Sequence, residues 1–368
     1  MSKARKIFRL FYRHILKPIF FLFDPEVVHD RVTFLGEFLG RFNFTRFLLS
    51  KIFVYKNSML EQQILGINFP NPVGLAAGFD KDARLAQIIP SVGFGFEEIG
   101  SVTGKPCKGN EGKRLWRLKK SKSLVVYYGL KNEGAKKVAE RLSKFKLQTP
   151  LGVSIAKTND QETVSEEEGI NDYIKAYLEF RNIGDYFTIN ISCPNTFGGE
   201  PFTDPGKLDM LLLKLREVGE GDRTPFFLKL PAELPKSQID KIIQVARKYK
   251  IEGLICTNLA KSRDNKNIKD EVPNVGGMSG KVVGEMSDDL ISYIYQKTGK
   301  EFVIVGCGGI FSAEDAYRKI KNGASLLQLI TGIIFEGPQL IGEINEGLVK
   351  LLKKDGYKNI NEAVGANA

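Results

Sequence analysis

The chain has 368 residues with a formal net charge of +11, and 42% of its residues are hydrophobic. A chain of this length and composition buries enough apolar surface for one large core or two ordinary ones, which excludes a disordered protein. The positive charge is spread along the chain without a recognition motif, so no nucleic-acid partner is expected. The only histidines are His14 and His29. If both lie outside the main domain, Ser-His-Asp triads, Cys-His pairs and histidine-ligated metal sites are excluded there.

The four cysteines are far apart in the sequence and include no Cys-x-x-Cys pair. Neither a zinc site nor a redox dithiol is predicted, and unpaired thiols are typical of a reducing compartment. The early apolar run is too short for a signal peptide or a membrane span. We therefore expect the protein to remain on the cytoplasmic side of the cell membrane.

The N-terminal segment is predicted to form a basic amphipathic helix, which Pro18 should break or kink. Basic residues recur at every fourth position along one side, and large apolar residues form a second stripe. Such a helix either lies in the headgroup layer of a membrane, with its cations near anionic lipids, or docks on its own domain with a solvated basic face. The basic stripe consists of Arg5, Arg9, Arg13 and Lys17, and the apolar stripe of Phe8, Phe11, Ile15, Ile19 and Leu22.

A second apolar segment, residues 32–54, is rich in phenylalanine and is interrupted by charged residues such as Glu37 and Arg41. These charges exclude a membrane span and favour two or three short helices. Residues 1–60 are therefore predicted to form a helical extension that associates peripherally with a membrane, and residues 61–368 to form a separate globular domain.

From about residue 60 onward, short apolar runs rich in β-branched residues alternate with amphipathic stretches. Eight predicted strands alternating with helices favour an α/β fold of the closed (β/α)8 or TIM-barrel type, which has about 250 residues. A doubly wound open sheet is the alternative, although it usually has fewer strands. The eight runs are residues 72–77, 94–102, 151–156, 186–192, 225–230, 253–258, 301–306 and 325–331.

In such a barrel the active groups lie where strands end, so the polar residues that follow the apolar runs are site candidates. Gly308 and Gly309 after the seventh run, with Thr331 after the eighth, stand where this fold usually binds phosphate through backbone N–H groups. The alternative is that these glycines only form tight turns. The longest insertion, residues 259–286, is predicted to be a loop over the site.

Several strings of residues, in this order and spacing, resemble the dihydroorotate dehydrogenase family. They are AAGFDKDARL, EEIGSVTGKPCKGN, NISCPNTFGG, ICTN, GGMSG, VGCGGI and TGIIFEGP, and they span essentially the whole predicted barrel. Asp24-Pro25-Glu26 with His29, and Leu115-Trp116-Arg117-Leu118, are more similar to the quinone-linked, membrane-associated class 2 branch than to the soluble class 1 branches. The resemblance implies FMN-dependent oxidation of dihydroorotate to orotate in pyrimidine synthesis, with a quinone as electron acceptor.

The resemblance also implies the site residues, position by position, and it implies no metal. A cation suits the substrate carboxylate, and asparagines offer a donor and an acceptor to the ring edges. A lysine beside the flavin ring would stabilise the reduced anionic cofactor. The implied substrate contacts are Lys81, Tyr128, Gly129, Leu130, Asn190, Asn195 and Asn258. The implied flavin contacts are Ala77, Gly78, Lys81, Ser101, Ser154, Asn190, Lys229, Thr257, Gly280, Gly308, Gly309, Thr331 and Gly332.

Cys193 occupies the position of the general base in this resemblance. There it would take a proton from C5 of the substrate while a hydride leaves C6 for the flavin. We expect Lys81 to favour the thiolate. The alternative is that Cys193 is a small buried apolar residue, the usual fate of a free cysteine, and this alternative suits Cys256 and Cys307 better.

Three positions depart from the family pattern. Class 2 members typically have serine where Cys193 stands, while cysteine is typical of class 1, so a soluble acceptor such as fumarate is an alternative to the quinone. Val126 replaces an asparagine that normally contacts the orotate ring, so a flavin-binding paralogue with an altered substrate is a further alternative. Ser154 stands where many relatives have a flavin-contacting asparagine, and its hydroxyl would serve instead.

Overall fold

The computed structural model describes residues 2–368. The chain stays helical through the N-terminal segment up to Phe20, and the irregularity expected at Pro18 is a wider π-helical turn that precedes the proline. A wider turn suits this place because proline cannot donate a backbone hydrogen bond to the preceding turn. The N-terminal helices are Lys3–Phe11, Lys17–Phe20, Pro25–Gly40 and Asn43–Phe53, and the π-helical turn is Tyr12–Leu16.

Arg5 and Lys17 of the basic stripe face the barrel, whereas Arg13 of the same stripe is exposed. Arg5 is only 4% exposed, donates a hydrogen bond to the backbone oxygen of Gly342 and forms an ion pair with Glu346 at 2.8 Å. Lys17 Nζ donates to the backbone oxygen of Phe335 at 2.9 Å. Of the two alternatives, docking on the chain's own domain is therefore found at Arg5 and Lys17, although that alternative placed the basic face in solvent.

The outward face of the N-terminal helices is apolar. Gly36 lets helix Pro25–Gly40 lie close against the barrel domain, since a Cβ at Gly36 would come within 2.5 Å of the Leu85 side chain. The other side of this helix and of its neighbours exposes large apolar side chains. No described helix is long and apolar enough to cross a bilayer. The most exposed of these side chains are Ile7, Leu22, Phe23, Phe34, Phe44 and Phe47.

Eight parallel strands form a closed barrel, which confirms the predicted (β/α)8 fold and excludes the open sheet. In chain order the strands are Val73–Leu75, Phe96–Val102, Leu151–Ile155, Tyr186–Asn190, Phe226–Leu230, Gly253–Cys256, Val303–Cys307 and Leu326–Leu329. The longer helices around them are Ala135–Leu142, Glu166–Phe180, Pro205–Val218, Lys236–Lys248, Gly284–Thr298, Ala313–Lys321, Thr331–Glu336 and Leu340–Lys354, and the short ones are Ile89–Val92 and Ile360–Ala363.

The interior of the barrel is filled by aromatic rings that stand over glycines. A Cβ on Gly74 would lie 2.3 Å from the Phe96 ring, and a Cβ on Gly152 would lie 2.1 Å from the Tyr186 ring. Phe69, from the hairpin of strands Gln62–Ile64 and Ile67–Phe69, packs edge-on against Phe96. Because this part of the barrel is packed core, the space for a ligand lies at the carboxyl ends of the strands.

A three-stranded antiparallel sheet lies over these carboxyl ends. Its strands are Leu115–Leu118, Ser123–Val126 and Gly277–Gly280. The insertion 259–286, predicted as a loop over the site, thus contributes a strand as well as irregular chain. Its pairing with Ser123–Val126 fixes it in place.

Candidate active site

A cavity of about 1270 Å³, including its open mouth, lies at the carboxyl ends of the barrel strands. The structure brings all of the predicted site residues to it except Ser154, which is buried with its Oγ 2.7 Å from Ser101 Oγ. Ser154 therefore holds a residue of the cavity wall without reaching the cavity itself. The predicted residues that line the cavity are Ala77, Gly78, Lys81, Ser101, Tyr128, Gly129, Leu130, Asn190, Cys193, Asn195, Lys229, Thr257, Asn258, Gly280, Gly308, Gly309, Thr331 and Gly332.

A chain of hydrogen bonds fixes the polar side of the cavity. Asn190 Nδ2 donates to Ser101 Oγ at 2.7 Å. Asn258 Nδ2 donates to Asn190 Oδ1 at 3.1 Å and to the backbone oxygen of Ser192 at 2.8 Å. The orientation of these amides is therefore set by the protein, and such preorganised groups suit a flat polar ring.

Two lysines line the cavity without an acidic partner within ion-pairing distance among the described residues. Lys229 is buried, and its strand neighbour is Asn190. Lys81 Nζ lies 3.9 Å from the centre of the Tyr128 ring, and burial lowers the pKa of Lys81 to about 8. Since an ammonium group removed from water is costly unless an anion compensates it, this cavity fits ligands that bring negative charge.

The side chain of Cys193 is partly exposed and lines the same cavity. Burial raises the pKa of its thiol to about 11, and the backbone N–H of Asn195 and the ammonium of Lys157 oppose this rise. The lysine that favours the thiolate in this structure is thus Lys157, whereas Lys81 was expected from the sequence. Lys157 is buried, and its Nζ donates to the backbone oxygen of Phe197 at 2.8 Å.

The departure at position 126 lies directly at the cavity. Val126 lines it, and the backbone oxygen of Val126 accepts a hydrogen bond from Asn195 Nδ2 at 2.9 Å. The nearby Tyr128 hydroxyl is buried without a hydrogen-bond partner among the described residues. At this position the wall is therefore less polar than the resemblance implies.

The glycine-rich loop after the seventh barrel strand runs close to the start of helix Gly284–Thr298, which precedes that strand in the chain. A Cβ on Gly309 would lie 2.4 Å from Gly284 Cα, and Gly308 and Gly309 both have positive φ. Both also line the cavity. The two interpretations of these glycines, a tight turn and a phosphate site at backbone N–H groups, are thus compatible, because one loop can have both properties.

Two kinds of site residue escaped the sequence analysis. Lys157 and Asn159 follow the third barrel strand, and the rule that polar residues after strand ends are candidates would have found them. His29 lines the cavity from helix Pro25–Gly40, with its Nε2 2.8 Å from the backbone oxygen of Phe79. His29 thus lies outside the barrel and still reaches the cavity, so its place in the extension does not exclude a histidine from the site.

The family model for dihydroorotate dehydrogenase matches residues 59–352. Two curated relatives are both named dihydroorotate dehydrogenase (quinone). The one from Trichodesmium erythraeum is 36% identical and covers 96% of this chain and 98% of its own length. The one from Christiangramia forsetii is 40% identical and covers 93% of this chain and 99% of its own length.

Two solved structures of an Eimeria tenella protein, titled DHODH, are also similar. The ligand-free structure is 29% identical with a TM-score of 0.84, and covers 94% of this chain and 99% of that one. The complex with ferulenol is 28% identical with a TM-score of 0.82, and covers 94% of this chain and 96% of that one. Because 94% of this chain is covered, the agreement includes part of the N-terminal extension as well as the barrel. This chain belongs to the dihydroorotate dehydrogenase family, in its quinone-dependent branch.

Proposed function

We propose that Cys193 is the general base and that Lys81 and three asparagines hold the substrate in the reaction of this family. The chain is an oxidoreductase that oxidises dihydroorotate to orotate in pyrimidine biosynthesis, with FMN as cofactor and a quinone as acceptor. One observation supports the residue assignment above all. One cavity is lined by a thiol, by hydrogen-bonded amides and by two lysines for which the described part of the chain offers no acidic partner at ion-pairing distance.

The residues present fit FMN. Lys229 is buried and has no acidic partner within ion-pairing distance in residues 2–368, which suits the edge of an anionic ring, and the Ser101–Asn190 pair lies on the same wall. Gly308 and Gly309 would hold the phosphate through their backbone N–H groups. When bound, FMN supplies the acceptor for the substrate hydride and later returns two electrons to the quinone.

The oxidation removes a proton from C5 and a hydride from C6, and a C5=C6 double bond forms. Cys193, as the thiolate, takes the C5 proton and becomes the thiol, which then releases the proton to solvent. Lys81 compensates the charge of the substrate carboxylate. Asn195 serves both proton removal and substrate binding. Its backbone N–H stabilises the Cys193 thiolate by a hydrogen bond, and Asn195 lines the cavity.

The rate of flavin reduction at saturating dihydroorotate is expected to rise with pH. Because the pKa of Cys193 is about 11, the thiolate fraction rises about tenfold for each pH unit between about pH 6 and 9. Substrate affinity should change in the opposite direction above about pH 8, where Lys81 loses its proton and its charge. Anaerobic stopped-flow measurement of the bleaching of the oxidised-flavin band gives both quantities. A rate that does not depend on pH would contradict the assignment of Cys193 as base.

We propose further that the quinone reaches the cavity along the N-terminal helices. His29 lines the cavity from this side, as do Phe311 and Ile334, and Phe21 of the extension packs edge-on against Phe335. On this proposal residues 1–60 are the access segment and residues 61–368 the catalytic barrel. The apolar outer face of the segment then lies in the cytoplasmic leaflet of the cell membrane as a peripheral contact.

Charged substitutions on this face test the membrane contact. The double variant Phe34→Asp, Phe44→Asp is expected to bind phospholipid vesicles at least about tenfold more weakly, because each buried phenylalanine contributes about 1.5–3 kcal/mol. Sedimentation with vesicles measures this, and reduction of the flavin by dihydroorotate should be unchanged. Leu178→Asp is the matched control, since Leu178 is an exposed leucine on helix Glu166–Phe180 of the barrel. Equal binding of the double variant and this control would contradict the proposal.

A further inference from the structure

The loop of residues 193–199, here called the base loop, is held at one residue by two side chains of the neighbouring strand end. The backbone N–H of Phe197 donates to Asn159 Oδ1 at 2.7 Å, and its carbonyl accepts from Lys157 Nζ at 2.8 Å. The Phe197 side chain is 54% exposed. The base loop is thus held here through its backbone, and the ring of Phe197 contributes little packing.

Asn159 is bound on its other side to the predicted substrate segment. Its Nδ2 donates to the backbone oxygen of Gly129 at 3.2 Å and to Asn110 Oδ1 at 3.0 Å. Asn110 Nδ2 in turn donates to the backbone oxygens of Tyr127 at 3.2 Å and of Asn195 at 3.0 Å. The two amides therefore join the base loop to the segment that faces the substrate.

The segment that binds the base loop is itself anchored. Thr158, between the two side chains that hold Phe197, donates to Asp172 Oδ2 through its backbone N–H at 2.6 Å and through its Oγ1 at 2.7 Å. Thr158 and Asp172 are both buried, and Asp172 belongs to helix Glu166–Phe180. The support of the base loop is therefore a fixed part of the barrel, as a preorganised site requires.

We infer that Lys157, Asn159 and Asn110 are positioning residues that hold Cys193 and Asn195 at the substrate. This inference rests on the proposed role of Cys193. Gly198 and Gly199 add no side chains of their own to the end of the base loop, and the hydrogen bonds from Lys157 and Asn159 hold the adjacent Phe197. When they are removed, the thiolate is displaced from C5, and a displacement of about 1 Å costs up to about 100-fold in rate.

The test compares variants of the full-length enzyme with FMN bound. Asn159→Ala and Lys157→Met are expected to reduce the flavin about 10- to 100-fold more slowly per bound FMN, whereas Lys157→Arg keeps the donor and stays within about threefold of the wild-type rate. Substrate deuterated at C5 should show a larger isotope effect in both slow variants, because removal of the C5 proton then limits the rate. Lys105→Met is the matched control, since the side chain of Lys105 pairs with Glu162 and none of its described hydrogen bonds reaches the base loop.

Each outcome of this comparison decides for or against the inference. Normal rates in Asn159→Ala and Lys157→Met overturn it, and so does a slow rate with an unchanged isotope effect, which indicates a merely structural role. If Asn159→Ala fails to fold with FMN, the rates of flavin reduction in the Lys157 variants test the inference. A slow Lys157→Met beside a near-normal Lys157→Arg supports it, and equal rates overturn it. Cys193→Ala separates the two proposals. If it retains the wild-type rate, the base assignment fails; if it is slow while the positioning variants are normal, only the present inference fails.

Discussion

Replacing Cys193 with alanine is expected to slow the reduction of the flavin by dihydroorotate about 10²- to 10⁴-fold, the usual contribution of a general base. Orotate binding should change little, because Lys81, Asn190 and Asn258 remain in the cavity. Anaerobic stopped-flow bleaching of the oxidised flavin measures the rate. Titration of the visible spectrum with orotate measures the binding.

Two further cysteine variants make this result specific. Cys193→Ser is expected to retain part of the rate and to need a higher pH, because a hydroxyl ionises less readily than a thiol. Cys256→Ala should keep the wild-type rate, since Cys256 is fully buried in the core between strands and helices. A Cys193→Ala rate close to that of Cys256→Ala would show that another group removes the proton.

Replacing Val126 with asparagine is expected to tighten the binding of dihydroorotate and orotate about 5- to 150-fold. Val126 lines the cavity, and an amide at this position restores a hydrogen bond to the pyrimidine ring, worth about 1–3 kcal/mol. The measurements are the orotate dissociation constant and the KM for dihydroorotate. Titration of the visible spectrum with orotate gives the dissociation constant, and steady-state rates give the KM.

The Val126→Ala variant is the matched control, because it also removes the valine side chain but adds no hydrogen-bonding group. It should show no gain in affinity. If Val126→Asn binds orotate no better than Val126→Ala, the ring does not contact position 126, and the substrate lies differently from what the family resemblance implies.

The barrel could be predicted from the sequence because each strand is a short apolar run followed by polar residues and a helix. Parallel strands that are buried on both faces leave this signal in the local sequence. The same rule points to the cavity, since strand ends in a barrel meet on one side. The quinone branch follows from the relatives, and the cysteine at the base position therefore does not indicate a soluble acceptor in this chain.

The orientation of the N-terminal helices could not be predicted in this way. The helical spacing of basic and apolar residues shows that the two faces of a helix differ in polarity. It does not show which face packs against the barrel. Here the acceptors for Arg5 and Lys17 are backbone carbonyls more than 300 residues away in the sequence. The Asn110–Asn159 pair was missed for a similar reason, because its contacts lie between loops that the local sequence does not connect.

One helix serves both the outer surface and the catalytic cavity. Phe34 and Phe38 of helix Pro25–Gly40 point outward, while His29 of the same helix contacts the backbone at Phe79. A helix of 16 residues is a stiff rod of about 24 Å. A tilt of helix Pro25–Gly40 at one end therefore displaces its other end as well. Contacts made by the outer face of this helix are thus mechanically coupled to the position of His29 at the cavity wall.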